Sequence, residues 1–300
     1  MRSIQLAVAG VAALGALAVL STRSLTATVE DQHADHGVVP GARSDHLQQA
    51  GGIPASGATA AERLAASPRK GEWVMIKVGA GDSLVAWVVR PQRTPAAVVI
   101  VIHENTGLTT WARGVADQLA ADGFIAIAPD LLTMRRKSNL TAEWSADSGR
   151  AAIASLGNDE VQNDLDVVAR YGMSLQGALP KYGVVGFCWG GARSFLHAAH
   201  APGLSAAVVY YGATPPVDQL GAIRAPVLAL YGGSDARITS AVPATDSAMK
   251  RLGKPYEFQV YLNAGHGFLR GQEGQDGANL KASLAAWPRT VSFLKANLRA

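Results

Sequence analysis

A single cysteine, Cys188, lies in the stretch Gly186-Phe187-Cys188-Trp189-Gly190, directly after an apolar run. A nucleophile placed between two glycines in this way is typical of a sharp turn from a strand into a helix. The glycines let neighbouring backbone pack closely where a Cβ atom would collide. Free backbone N–H groups and the positive end of the helix dipole would face the sulfur. We therefore expect them to lower the thiol pKa and to stabilise an oxyanion.

Other residues capable of chemistry also follow apolar runs. They are His103-Glu104-Asn105 after "AAVVIVI", Asp235 after "APVLALYGGS" and His266 after "YEFQVYLNAG". With the cysteine they give the chain order nucleophile, acid, base, which is the order of an α/β-hydrolase. In such a triad His266 would take and return protons, and Asp235 would hold the imidazole in the required tautomer.

Each of these residues has a simpler explanation when it is taken alone. The cysteine could be a buried, inert thiol in a glycine-rich turn, Asp235 a turn former and His266 a hydrogen-bonded loop residue. A phosphate-binding loop is excluded, because Ala192-Arg193 stand where Lys-Ser/Thr would be needed. Only the joint placement of the residues after successive strands favours the triad.

The elements that must position these residues follow a regular order from Gly71 onward. "EWVMIKV" and "SLVAWVVRP" predict an antiparallel pair of strands. The apolar runs "AAVVIVI", "FIAIAP", "YGVVGF", "SAAVVYY", "APVLALYG" and "YEFQVYL" then alternate with helical segments, among them one long region around "SGRAAIASLGNDEVQNDLDVVARYG" and a closing helix "WPRTVSFLKANL". This pattern predicts an α/β fold of the α/β-hydrolase type: a mostly parallel central sheet with helices on both faces and antiparallel N-terminal strands. Ligands bind beyond the carboxyl ends of such strands.

The N-terminal part of the chain predicts export. Residues 1–27 contain a basic residue and then an apolar stretch, which is the layout of a cleaved signal peptide; an uncleaved membrane anchor and a buried helix are the alternatives. Residues 28–70 are polar or small, and we interpret them as a flexible linker. Residues 71–300 form the predicted hydrolase domain. We expect it to lie in the periplasm or outside the cell, and to associate with a membrane only if the N-terminal segment stays uncleaved.

The composition of the chain indicates which classes of partner and cofactor to expect. The chain has 300 residues, of which 48% are hydrophobic and 17% charged, with a formal net charge of +4. Lys and Arg form no run that could follow a phosphate backbone, so nucleic acid is not expected as a partner. His33 and His36 are spaced as metal ligands could be, but no further ligand completes a site, and we interpret them as solvated linker residues. We expect a monomer that needs no metal or organic cofactor.

Five motifs in this order resemble the dienelactone hydrolase (carboxymethylenebutenolidase) family of α/β-hydrolases: "HENTGL", "APDLL", "GFCWGG", "YGGSD" and "AGHGF". The resemblance implies a hydrolase of esters or lactones in which Cys188 is the nucleophile, His266 the base and Asp235 the acid. It also implies that Glu104 pairs with the resting thiol and leaves it when substrate binds. The backbone N–H groups of Asn105 and Trp189 would form the oxyanion hole.

The family holds a substrate carboxylate with two arginines. Arg270 resembles one of them, and Arg135 or its neighbour Arg136 is nearest to the other, although the spacing is shifted. Exposed arginines with no such role are the alternative, and a neutral ester or lactone would then be as good a substrate as an acidic one. The stretch from Thr133 to Asp147, which would shape the pocket, could not be assigned.

The predicted reaction is acyl transfer to water through a thioester on Cys188. A general carboxylesterase or an acyltransferase with the same triad is the alternative within enzymes. A non-catalytic binding protein on the same scaffold, or a redox-sensing cysteine, are alternatives of other classes. A catalytic Cys188 would be alkylated by iodoacetamide faster than a free thiol and would be protected by a substrate analogue.

Overall fold

The computed structural model describes residues 52–79 and 81–299. Its strands, in chain order, are β1 (Glu72–Lys77), β2 (Ser83–Val89), β3 (Ala96–Ile102), β4 (Ile125–Pro129), β5 (Ala178–Phe187), β6 (Ala206–Tyr210), β7 (Val227–Gly232) and β8 (Tyr256–Tyr261). They form one eight-stranded sheet in the order β1-β2-β4-β3-β5-β6-β7-β8. β1 pairs antiparallel with β2, and β2 with β4, whereas the other neighbours run parallel. The predicted fold class is confirmed.

Helices cover both faces of this sheet. They are α1 (Ala60–Ala65), α2 (Thr110–Ala121), α3 (Ala146–Ala154), α4 (Asn158–Ser174), α5 (Trp189–His200), α6 (Ala236–Thr239), α7 (Val242–Arg251) and α8 (Ala278–Asn297). Short 3-10 turns lie at Thr133–Arg135, Val217–Ala222 and Gln275–Gly277.

The side chains of β3 show how the two layers of helices attach. Ile100 and Ile102 point into a core that also contains Leu165 of α4 and Phe195 of α5. Val99 and Val101, which alternate with them, point into a second core that contains Leu119 of α2 and Trp287 of α8. All seven residues of β3 are buried, and full burial of one such side chain stabilises the fold by about 1.5–3 kcal/mol. The unbroken apolar pattern of this strand therefore reflects burial on both faces.

Two helices differ from the sequence-based prediction. The long helical region is divided into α3 and α4, and the chain between them is extended at Gly157 (φ −72°, ψ 149°), the residue before α4. The closing helix begins at Ala278, well before the expected start at Trp287, and contains Pro288 in its interior. A proline signals the first turn of a helix more often than its middle, which explains why the start was placed too late.

The predicted linker is wrong over residues 52–70, a stretch that we call the N-terminal segment. It contains α1, and Ala55 and Ala60 are each 2% exposed. Asp117 of α2 accepts hydrogen bonds from Ser67 and Arg69. The segment has little apolar periodicity of its own, so its sequence resembles a linker. Contacts with the finished domain order it instead.

Other N-terminal predictions lie outside the described residues. These are the signal peptide or anchor at 1–27, the linker over 28–51, and His33 and His36 within it. Export and the monomeric state remain predictions. Among the helices within 52–79 and 81–299, none combines the length and the hydropathy that crossing a bilayer requires.

Candidate active site

Cys188 lies on a sharp turn between β5 and α5. Its backbone angles are φ 55° and ψ −114°, a conformation that costs a non-glycine residue about 1–3 kcal/mol. A Cβ atom on Gly186 would stand 2.0 Å from the carbonyl oxygen of Gly190, and one on Gly190 would stand 2.3 Å from that of His103. Both glycines are therefore required by close backbone contact, as the sequence predicted.

The other candidate residues follow strands in the parallel part of the sheet, in which β3 lies next to β5 on one side and β6, β7 and β8 follow in order on the other. Ile102 at the end of β3 pairs with Gly186 of β5, and Phe187 pairs with Tyr210 at the end of β6. Gly232 at the end of β7 pairs with Tyr261 of β8. Parallel pairing brings the carboxyl ends of these strands to one edge of the sheet. The residues that follow them, widely separated in sequence, therefore meet there.

His266 and Asp235 form a close pair at this edge. Asp235 Oδ2 lies 2.5 Å from His266 Nδ1, and the Asp235 side chain is 8% exposed. A carboxylate can only accept at this position, so Nδ1 carries the hydrogen and Nε2 is left free as a proton acceptor. Arg237 Nη2 stands 3.9 Å from the same carboxylate oxygen. The ring of Tyr211 packs edge-on against the imidazole, with 5.1 Å between ring centroids.

A cavity of about 400 Å³ joins the cysteine to this pair. We call it the catalytic cavity. The residues that line it are Asn105, Arg150, Ile153, Ala154, Cys188, Trp189, Ala192, Tyr211, Ala213, Arg237, Ile238 and His266. A half-buried thiol and a histidine with a free ring nitrogen thus line one cavity, which is a precondition for nucleophilic catalysis.

The surroundings of Cys188 disfavour its thiolate form. Burial raises the pKa of Cys188, and the negative charge of Glu104 raises it further. The backbone N–H of Trp189 and the charges of Arg237 and Arg270 oppose these effects only in part. The backbone N–H at the start of α5 does lower this pKa, as the sequence predicted, but burial and Glu104 outweigh it.

This pKa makes the alkylation rate of Cys188 a test of the charge on Glu104. A raised pKa means less thiolate at a given pH. Contrary to the sequence-based expectation of fast alkylation, we therefore expect iodoacetamide to react with Cys188 at pH 7 more slowly than with N-acetylcysteine, and the rate to rise as the pH is raised. Glu104→Gln removes one cause of the raised pKa, so it should lower the pKa of Cys188 and speed the reaction at pH 7.

The control for this measurement is Glu160→Gln. Glu160 pairs with Arg135 away from the catalytic cavity. Glu160→Gln therefore removes an equal charge and should leave the alkylation rate of Cys188 unchanged. Equal alkylation rates for Glu104→Gln and the wild type would contradict the electrostatic account of the resting thiol.

Glu104 is itself held by an arginine. Its Oε2 accepts a hydrogen bond from Arg270 Nε at 2.6 Å, and the Glu104 side chain is 12% exposed. Burial raises the pKa of Glu104, while the charge of Arg270 opposes that rise. The pairing that the structure shows for Glu104 is thus with Arg270, and its effect on the thiol is exerted through its charge.

His103 fixes the loop that carries Glu104 and Asn105. The ring is fully buried; its Nδ1 donates to the carbonyl oxygen of Glu104 at 2.7 Å, and its Nε2 accepts from the backbone N–H of Leu131 at 3.2 Å. The ring donates at Nδ1 and accepts at Nε2, as a neutral imidazole does, and burial lowers the pKa of His103. It also stacks on Trp189, with 5.6 Å between centroids. The sequence analysis gave His103 no role, since a lone histidine after a strand has no distinctive signal.

The two predicted substrate arginines do not share one location. Arg270 lies beside Glu104 and lines the cavity next to the catalytic cavity. Arg135 forms a two-pronged pair with Glu160, at 2.7 Å for each contact, and lines neither the catalytic cavity nor the cavity beside it. The prediction for Arg135 is therefore wrong. Arg136, the alternative candidate, stacks on Trp144 and pairs with Asp130. It also lines neither cavity.

Arg150 of α3 occupies the place that Arg135 was expected to take. It lines both the catalytic cavity and a neighbouring cavity of about 510 Å³. Its guanidinium pairs with Asp147 at 2.5 Å. Arg150 carries no distinctive sequence signal, because it lies in a stretch whose pattern is that of an ordinary long helix.

The neighbouring cavity shares Asn105 and Arg150 with the catalytic cavity. We call it the side compartment. The residues that line it are Gly57, Ala60, Ala61, Glu104, Asn105, Thr106, Thr109, Thr110, Trp111, Glu143, Trp144, Ala146, Arg150 and Arg270. It therefore places both arginines, Glu104 and two tryptophans next to the cysteine.

Comparison with known proteins agrees with this architecture. The sequence profile of the Dienelactone hydrolase family matches residues 84–298. An Escherichia coli K12 protein named "Putative carboxymethylenebutenolidase" is 35% identical over 202 residues, which cover 63% of this chain and 74% of that protein. A Bradyrhizobium protein named "Probable 2-oxo-3-(5-oxofuran-2-ylidene)propanoate lactonase" is 30% identical over 245 residues, which cover 76% of this chain and 94% of that protein.

A solved structure extends the likeness to three dimensions. The crystal structure of a Klebsiella pneumoniae protein named "Putative Dienelactone Hydrolase" superposes with a TM-score of 0.65 at 28% sequence identity, covering 76% of this chain and 98% of its own. The profile match spans most of the sheet and all of the strand ends that carry the site. The chain therefore belongs to the dienelactone hydrolase family of α/β-hydrolases.

Proposed function

We propose that this protein hydrolyses carboxylate-bearing esters or enol lactones through a Cys188-His266-Asp235 triad and a thioester intermediate. Membership of the family makes it a hydrolase that acts on esters or lactones. The observation that carries the finer proposal is the catalytic cavity, in which the strained Cys188 faces an imidazole hydrogen-bonded to Asp235.

The first half of the reaction forms a carbon–sulfur bond. The Cys188 proton passes to His266 Nε2 as sulfur attacks the ester carbonyl, and the carbonyl oxygen becomes an oxyanion. The N–H of Trp189, which already faces the sulfur, and that of Asn105 stabilise this oxyanion. The carbon–oxygen bond then breaks, and the leaving alkoxide or enolate receives the proton from His266. Water repeats the sequence on the thioester and restores the thiol.

Glu104 gates the first step. While it lies near Cys188, its charge adds to the effect of burial, and both raise the pKa of the thiol. A substrate carboxylate competes with Glu104 for Arg270, and displacement of Glu104 from the cysteine removes that charge. The thiol pKa then falls only when substrate is bound, which spares the thiolate from oxidation.

Hydrolysis of cis- and trans-dienelactone beside p-nitrophenyl acetate tests this function directly. The wild-type protein should cleave all three. An acid-quenched reaction should carry the acyl group on Cys188, detected as a mass increase on the peptide that contains it. No turnover of any ester or lactone, or an acyl group on another residue, would refute the proposal.

The arginines of the side compartment predict a preference for anionic substrates. Arg150→Gln and Arg270→Gln should each lower kcat/KM for p-nitrophenyl hydrogen succinate by about 10- to 100-fold, the equivalent of one charge-assisted hydrogen bond. The neutral p-nitrophenyl valerate should change much less with Arg150→Gln. Arg135→Gln is the matched control, because Arg135 is bound by Glu160 outside both cavities. Equal losses of kcat/KM on the anionic and neutral esters would show that these arginines do not recognise a substrate carboxylate.

A further inference from the structure

The side compartment has a wall that lies outside the family match. Gly57, Ala60 and Ala61 of the N-terminal segment line it together with Trp144 and Arg270 of the domain. The family profile begins only at residue 84. Part of the space beside the catalytic cysteine is thus enclosed by a stretch of chain that precedes the matched region.

Three side chains hold this wall in place by bonding to consecutive backbone carbonyl groups. Arg63 Nη1 donates to Ile53 O at 3.2 Å, Gln272 Nε2 to Pro54 O at 2.9 Å and Trp111 Nε1 to Ala55 O at 3.0 Å. Pro54, Ala55 and Ser56 are buried. Hydrogen bonds from separate elements, made in a buried setting, fix the path of the backbone. The wall is therefore a built part of the cavity.

The wall also touches the arginine that pairs with Glu104. The N–H of Gly57 donates to the carbonyl oxygen of Arg270 at 2.7 Å. A Cβ atom on Gly57 would lie 3.1 Å from Cγ of Arg270, so the glycine leaves the arginine just enough room. The position of Arg270 and the position of the wall therefore depend on each other.

We propose that Gly57, Ala60 and Ala61 set the maximum length of the acyl chain whose terminal carboxylate a substrate can place beside Arg270 and Arg150. This inference rests on the proposed function. The three residues are glycine or alanine, so they leave the compartment open, while Trp111 and Trp144 supply apolar walls and the arginines supply the charge. The ligand that suits this space is an acyl group with a carbon chain that ends in a carboxylate.

The test is the chain-length profile of Ala61→Phe in the full-length protein. Ala61 is exposed, so its replacement adds bulk to the compartment without disturbing a core. The substrates are p-nitrophenyl monoesters of succinic, adipic and suberic acid, with p-nitrophenyl acetate as the short reference. The variant should lower kcat/KM for the adipate and suberate esters by about tenfold or more, in line with the effect of one misfitting methylene. The acetate ester should stay within twofold.

Ala66→Phe is the matched control, since Ala66 is exposed directly after α1 and does not line the compartment. It should leave the whole profile unchanged. A profile for Ala61→Phe that is parallel to the wild-type profile would overturn this inference and leave the proposed function standing. A wild-type protein that is inactive on every ester would overturn both.

Discussion

Cys188→Ala should lower kcat/KM for every ester and lactone by about 10⁴-fold or more. The reason is that the oxyanion donors and the cavity remain but no atom is left to form the acyl intermediate. In enzymes with a comparable triad, loss of the nucleophile leaves only the rate enhancement provided by the oxyanion hole and by binding. The measurement is initial rate against substrate concentration, on dienelactones and on p-nitrophenyl acetate.

The fold should survive this substitution. Cys188 has a positive φ of 55°, and alanine bears a similar strain there, so the free energy of unfolding should change little. Circular dichroism and the midpoint of thermal unfolding check this point. Equal activity of Cys188→Ala and the wild type, with both proteins folded, would end the assignment of Cys188 as nucleophile.

Asp235→Asn should lower kcat about 10³- to 10⁴-fold with a smaller effect on KM. The Asp235 carboxylate accepts the His266 Nδ1 hydrogen at 2.5 Å and is nearly buried. An amide at this position can present its N–H to Nδ1, which would place the ring hydrogen on Nε2, where it blocks proton acceptance from the thiol. The comparable substitution in a serine protease has an effect of about 10⁴-fold.

Asp246→Asn is the control for this change. Asp246 also loses one carboxylate charge, but its described partner is Lys250, one helical turn away on α7. Its substitution should leave kcat unchanged. A loss of tenfold or less for Asp235→Asn would show that His266 keeps its working tautomer without the acid, and the triad would then reduce to a dyad.

The sheet and the order of the site were readable from the sequence because they depend on local patterns. Residues 96–102 are apolar without interruption, as a strand covered on both faces must be, and the glycines around Cys188 are required within a few residues of it. The carboxyl ends of parallel strands meet at one edge, so Asp235 and His266 could be assigned to the same site before any coordinate was known.

Three features could be decided only by the tertiary structure. The thiol pKa is set by burial and by Glu104, which is far from Cys188 in the chain but adjacent across β3 and β5. Arg150, not Arg135, reaches the cavities because α3 lies over them.

The N-terminal segment is the third such feature. Trp111 and Gln272 order it by donating hydrogen bonds to its backbone. Because both residues lie outside the segment, its own composition does not reveal these contacts. Periodicity and turn residues report which element a stretch of chain forms. Charge, desolvation and side-chain contacts depend on distances between elements, and only the packed fold determines those distances.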